Sequence, residues 1–166
     1  MAQSLEFEVT VPRRAAEVFP FFADARNLER LTPPWLRFEI VTREPIPMHA
    51  GAFIDYRLRW HGIPLRWTSR ITEWEPPRRF VDEQVRGPYR MWRHEHLFEE
   101  VDGGTRVRDR VLYAVFAPDV VERLFVRRDV ERIFAYRQER LRELFDGSRE
   151  DTAPKNRSIS LSTRSG

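Results

Sequence analysis

The chain opens in strict alternation. Leu5, Phe7, Val9 and Val11 are apolar, and Glu6, Glu8 and Thr10 between them are polar. A period of two predicts a strand over Ser4–Val11 with one face buried. Pro12 ends it and suits the start of a helix. From Arg13 to Ala23 the period lengthens: Ala16, Val18, Phe19 and Phe22 follow helical spacing, with Pro20 as a kink or break. A second short helix is expected over Arg26–Leu31, started by Asp24-Ala25-Arg26-Asn27 and stopped by Pro33-Pro34.

Alternation then returns. Strands are expected at Leu36–Arg43, Ala52–Trp60, Leu65–Trp74, Arg79–Arg86, Tyr89–Glu100 and Thr105–Phe116. His61-Gly62, Pro76-Pro77, Gly87-Pro88 and Asp102-Gly103-Gly104 punctuate them at short spacing, which implies an antiparallel meander. Pro118 opens a long helix, expected over Asp119–Phe145. Its apolar stripe is Val126, Val130, Ile133, Phe134, Leu141, Leu144 and Phe145. Beyond Phe145 the chain is rich in Ser, Thr and Arg and has no aromatic residue. Residues 147–166 therefore read as a disordered tail after a single domain, 1–146. The expected architecture is α+β. A curved antiparallel sheet of about seven strands wraps around the long C-terminal helix, and two short helices follow the first strand.

Composition narrows the function classes. The 13% aromatic content, with 5 Trp and 12 Phe, favours a large apolar interior or a lined cavity. The absence of Cys excludes disulfides, thiolate metal sites, iron–sulfur clusters and a Cys nucleophile. No charged segment followed by an apolar run opens the chain, and no 18-residue apolar stretch occurs, so a cytoplasmic protein without membrane insertion is expected. Net charge is only +3, and Lys155 is the sole lysine, so nearly all basic residues are arginine. Arginine and acid are interleaved, as in Arg128-Asp129 and Glu139-Arg140. Nucleic-acid binding would need a one-sided basic patch, and it is not expected.

The densest chemistry lies at Trp92–Phe98. Alternation sets Trp92, His94, His96 and Phe98 on one face and Arg93, Glu95 and Leu97 on the other. Imidazoles among apolar rings resemble the lining of a small-molecule pocket. A three-residue loop at Gly87-Pro88 would place Gln84 opposite Trp92, Asp82 opposite His94 and Phe80 opposite His96; a two-residue loop would shift each pair by one. Asp109 and Tyr113 share the inner face of the next strand, leaving Arg106, Arg108 and Arg110 outside. Arg137 interrupts the helix stripe between Phe134 and Leu141. Buried there, it must meet an acid, with Asp82, Asp109 and Glu95 as candidates, or else anchor a ligand. His94, His96, Asp109 and Arg137 are the candidates for any catalysis. Tyr56, Trp67, Asp82, Gln84, Trp92, Tyr113 and Phe134 join His94, His96 and Arg137 as ligand-binding candidates. Trp60 and Trp74 are further rings able to stack on a planar ligand. His94-x-His96 with a carboxylate is also a metal-ligand pattern. The two side chains start about 7 Å apart along the strand and no third ligand is assured, so no metal and no cofactor are expected. Ser69 faces inward but lacks the sequence of a nucleophile elbow. The loop Pro45–His49 is expected at a cavity mouth, with His49 in solvent.

The stretches Val11–Phe19, Asn27–Pro34, Trp67–Pro77, Phe80–Gln84, Gly87–Phe98, Gly103–Tyr113 and Phe134–Arg137, in this element order, resemble the START-like (SRPBCC, birch-pollen-allergen-like) helix-grip superfamily. The likeness spans about residues 3–146 and lies nearest the polyketide cyclase/dehydrase and coenzyme-Q-binding members. It implies a cavity between sheet and helix that binds a hydrophobic or aromatic small molecule. The same likeness admits a cyclase or dehydratase using the His, Asp and Arg residues, or an accessory module that binds another protein. Fold alone does not choose among these, and the oligomeric state stays open.

Overall fold

The computed structural model describes residues 2–116, 118 and 125–146. The first turns expected for the long helix, at 119–124, and the expected tail at 147–166 lie outside the described residues. The elements run β1 (Gln3–Val11), α1 (Ala15–Ala23), α2 (Asn27–Leu31), a single 3-10 turn (Pro34–Leu36), β2 (Glu39–Ile40), β3 (Phe53–Trp60), β4 (Ile63–Glu75), β5 (Arg79–Arg86), β6 (Met91–Val101), β7 (Gly104–Ala114) and α3 (Arg127–Phe145). The seven strands form one antiparallel sheet in the order β1-β7-β6-β5-β4-β3-β2. Every pairing from β2 to β7 joins chain neighbours. Only β1 crosses to the far edge, beside β7.

Turn chemistry fixes these registers. Trp60 pairs with Ile63, so His61 and Gly62 alone make the β3–β4 turn, both at positive φ of 48° and 85°. Two-residue hairpin turns that follow the sheet twist demand that conformation. Gly104 begins β7 for a different reason: a Cβ there would lie 1.9 Å from the Val11 carbonyl oxygen on β1. Only a residue without a side chain allows the first and last strands to close up at that point.

One expected strand is largely absent. Leu36–Arg43 reduces to the two residues of β2. Pro34 starts a helical turn and Arg37 ends it in the left-handed region, φ 44°. Beyond Ile40 the backbone crowds a single partner, with Val41 N and Thr42 N both donating to Asp55 O at 2.7 and 3.3 Å. That crossing breaks the ladder. The other expected strands are present within a few residues of their expected ends.

The inner face of the sheet carries two apolar clusters. One gathers Val18, Phe19 and Phe22 of α1 with Phe80, Phe98 and Leu141. The other gathers Leu5, Val111, Tyr113, Val126, Val130 and Phe134. Helix α3 spans both, with Phe134 stacked on Phe7 of β1 at 4.5 Å and Leu141 fully buried. The outer face is a ladder of ion pairs in which Arg106, Arg108 and Arg110 reach Glu6, Glu8, Glu95 and Glu99. The arginines therefore face outward, as alternation requires.

Candidate functional site

Between the two clusters the inner face turns polar. Phe80 lies opposite His96 and Asp82 opposite His94 across β5 and β6. His94 and His96 lie opposite Val111 and Asp109 across β6 and β7. The longer hairpin register is the one formed, and it brings both imidazoles and both carboxylates onto one patch. The strand spacing of the two histidines is closed by their side chains, whose ring centroids are 3.8 Å apart. Phe80 stacks on His96 at 4.0 Å, and Phe134 meets His94 edge-on at 5.1 Å. Two apolar rings thus clamp the imidazole pair in place.

Arg137 reaches this patch from α3 and is 5% exposed. Its Nε donates to Asp109 Oδ2 at 3.1 Å, and its Nη2 lies 3.4 Å from Asp109 Oδ1 and 3.2 Å from His96 Nδ1. The anomaly in the helix stripe is therefore a buried ion pair with Asp109. Glu95, an alternative partner, faces outward and pairs with Arg79 at 2.6 Å and Arg110 at 3.6 Å.

Hydrogen bonds assign the tautomers. His96 Nδ1 accepts from Arg137, so its Nε2–H donates to Asp82 Oδ2 at 2.8 Å. His94 Nε2–H donates to Asp109 Oδ1 at 2.8 Å, which leaves Nδ1 as a lone pair 3.6 Å from Asp82 Oδ2. On the far side of Asp82, Ser69 Oγ donates to Oδ1 at 3.3 Å and accepts from Tyr56 OH at 2.8 Å and Trp67 Nε1 at 3.1 Å. One connected polar chain thus runs across the sheet from β3 to α3.

The electrostatics follow from this wiring. Burial alone would raise Asp109, but the Arg137 charge and the bond from His94 overcome it and hold the carboxyl well below its usual range. Asp82 behaves likewise to a smaller degree: burial opposes, and the His96 bond with the neighbouring imidazoles prevails. His94 is held below its ordinary value, first by burial and then by His96, against the pull of Asp109 and Asp82. Its ring is neutral at pH 7. Burial, reinforced by Asp82, pushes the Tyr56 phenol well up, so it stays a donor.

This patch is the polar floor of a cavity of about 490 Å³. Asp82, His94, His96 and Arg137 line it, together with Tyr56, Trp67, Trp92 and Phe134. Its further walls include Phe22, Leu31, Ile54, Leu58, Leu65 and Ile71. The size falls within the range of about 300–1,000 Å³ typical of small-molecule pockets. Four expected residues lie elsewhere. Gln84 is turned into the β5–β6 loop, where it donates to Tyr89 O at 2.7 Å and accepts from Tyr89 N at 3.2 Å. A four-residue connection, Gly87–Arg90, needs that brace, so its side chain is occupied by the backbone. Tyr113 is fully buried behind Trp92 and Tyr89, and Asp109 sits behind the imidazoles rather than on the cavity surface. Trp74 packs between Phe19 and Phe80. Of the Pro45–His49 loop, Met48 lines the cavity and His49 is exposed.

Two features go beyond the sequence reading. Ser69 faces inward as expected, but its role as the relay between Tyr56, Trp67 and Asp82 was not read from its parity. Asp129 of α3 accepts from Trp60 Nε1 at 2.6 Å and lies 2.7 Å from His61 Nε2. This clasp ties the β3–β4 turn to the helix, and no sequence spacing announces it.

The chain matches the protein family described as polyketide cyclase / dehydrase and lipid transport over residues 11–135. No curated protein matches it significantly. Among solved structures it resembles the Zhui aromatase/cyclase from Streptomyces sp. R1128, with a TM-score of 0.69 and 19% identity over 88% of this chain and 94% of that one. Ginseng major latex-like protein 151 from Panax ginseng gives a TM-score of 0.66 at 8% identity, over 87% and 98% of the two chains. Protein Ms6760 from Mycobacterium smegmatis gives 0.65 at 18%, over 86% and 90%. At such identities these likenesses establish the helix-grip fold. No helix among the described residues is long and apolar enough to cross a membrane.

Proposed function

The chain belongs to the polyketide cyclase / dehydrase and lipid transport family, and from that premise we propose that it binds a hydrophobic, predominantly aromatic small molecule between sheet and long helix. The observation that carries this reading is the cavity of about 490 Å³, with apolar walls over a polar floor. Trp67, Trp92 and Tyr56 supply broad faces for a planar ring. Asp82, His94, His96 and Arg137 supply a few fixed polar groups at the bottom. Such a division favours a ligand with an apolar body and one hydroxyl or carbonyl end, oriented end-down. A space of this size also argues against a purely surface-acting accessory module.

The experiment is mass spectrometry of small molecules released from protein purified under native conditions. An apolar aromatic compound in near-stoichiometric amount is expected. Protein that releases none, and that binds no member of a panel of aromatic polyketides, quinones and flavonoids, would overturn the reading.

The buried wiring favours a second reading, a cyclase or dehydratase in the same cavity. His94 is neutral, oriented by Asp109 through Nε2, and holds a lone pair on Nδ1. A base fixed by a carboxylate is the arrangement that proton abstraction beside a carbonyl requires. Arg137 and His96 would stabilise the resulting enolate. Turnover of a poly-β-ketone thioester surrogate, lost in His94→Gln with binding retained, would establish it. Binding without turnover would leave the chain as a carrier.

A further inference from the structure

Both imidazoles of the floor stand between two carboxylates, and each ring points one nitrogen at each. On one side His94 Nε2 and His96 Nδ1 lie 2.8 and 3.2 Å from the same Asp109 oxygen, Oδ1. On the other side His94 Nδ1 and His96 Nε2 lie 3.6 and 2.8 Å from the same Asp82 oxygen, Oδ2. The ligand atoms of Asp82, His94 and His96 all fall within 4.8 Å of one another. Ligands on a tetrahedral zinc at about 2.0–2.1 Å are separated from each other by about 3.3 Å. The two distances to Asp82 bracket that value, and all three donors face one another across a gap that a single ion could bridge.

From this geometry we infer that Asp82, His94 and His96 form a binding site for a divalent transition-metal ion of the zinc class, with Asp109 as the carboxylate that orients both imidazoles. Two imidazoles and one carboxylate suit zinc, cobalt or iron rather than calcium or magnesium, which prefer all-oxygen shells. Metal-ligating histidines donate their second N–H to a carboxylate or carbonyl, which fixes tautomer and ring orientation. Asp109 does this for His94 already. For His96 it requires a change of tautomer: the proton leaves Nε2, where the ion enters, and Nδ1 gains one and donates to Asp109 Oδ1. No net proton is released. Arg137 stands on the Asp109 side, where its Nε bond to Oδ2 is undisturbed and only its contact with His96 Nδ1 is given up. It faces the ion across the imidazoles and balances the charge of Asp109. Because Asp82, His94 and His96 all line the cavity, the remaining coordination position opens to whatever occupies it. Such an ion would hold a ligand hydroxyl or carbonyl. The site goes beyond the binding reading above and does not depend on which molecule fills the cavity.

The test is titration of chelator-treated, dialysed full-length protein with Co2+, followed by visible absorption. One saturating equivalent with ligand-field bands of a four- or five-coordinate ion is expected, and one equivalent of Zn2+ should abolish the bands. His94→Ala and His96→Ala should each weaken Co2+ binding at least tenfold. Asp109→Asn should weaken it about 10–100-fold while preserving the band shape. His61→Ala, at the exposed clasp with Asp129, should leave it unchanged. The unmodified protein alone decides the matter if variants fail to fold: absence of saturable ligand-field bands would overturn the site. Bands that persist unchanged in the folded His94→Ala/His96→Ala double variant would also overturn it.

Discussion

Asp109 and Arg110 are consecutive residues of β7, and each forms an ion pair of nearly the same length. Asp109 meets Arg137 at 3.1 Å on the inner face, and Arg110 meets Glu6 at 2.9 Å on the outer face. The inner side chains are 2% and 6% exposed, the outer ones 46% and 49%. Distance does not separate these pairs; solvent does. Outside, water screens the charges and side-chain entropy opposes their ordering, so such a pair contributes about 0–1 kcal/mol. Inside, both ions have given up hydration. Removing one strands the other, at a cost of about 3–5 kcal/mol. The outer ladder covers an open sheet face with paired charge. The inner pair fixes helix to sheet and sets the tautomers of two imidazoles. Identical chemistry on the two faces of one strand therefore does different things.

The sharpest break of this comparison is Asp109→Ala. It should lower the unfolding free energy by about 3–5 kcal/mol, measured by urea denaturation, because Arg137 is left buried without an acid. Next is Arg137→Met, which should cost less, because Asp109 keeps the Nε2–H bond from His94 and is not left without a partner. The loss of helix-to-sheet coupling should show as faster hydrogen exchange along α3. A double-mutant cycle across Asp109 and Arg137 should give a coupling of about 2–3 kcal/mol. At the bottom of the range, Glu6→Gln should change stability by less than about 1 kcal/mol, and 1 M salt should erase even that. A coupling for Glu6–Arg110 equal to that of Asp109–Arg137 would remove the distinction.

Alternation carried most of the fold, because a half-buried strand writes its two faces directly into its residues. It placed Asp82, His94, His96 and Asp109 on one face and Arg110 and Glu95 on the other. Arg137 was legible as a misfit in an apolar stripe. What alternation cannot see is how far side chains lean. The histidines leave the strand about 7 Å apart, yet their rings meet at 3.8 Å, a closeness that spacing along the strand does not show. The hairpin at Gly87–Arg90 shows a second limit. Its register was right, but its length left backbone groups that only the Gln84 side chain satisfies, and this took Gln84 from the cavity. The lost strand beyond Ile40 is a third. Val41–Arg43 suits a strand by composition, but Val41 N and Thr42 N converge on the one Asp55 carbonyl, which a regular ladder does not allow. The Asp129 clasp joins residues too distant in sequence for any local pattern.

On the reading proposed above, the inner face, unlike the outer one, is built around a ligand. Titration with the fluorescent probe 1-anilinonaphthalene-8-sulfonate, comparing matched additions of volume on the two faces, tests it most directly. Val130 is buried on α3 and lines the cavity, whereas Leu112 lies exposed on the outer face of β7. The expected result is one saturable site in the unmodified protein, weakened at least tenfold by Val130→Trp and unaffected by Leu112→Trp in proteins of comparable thermal stability. Probe binding that is absent from the unmodified protein, or that ignores Val130→Trp and responds to Leu112→Trp, would contradict the account.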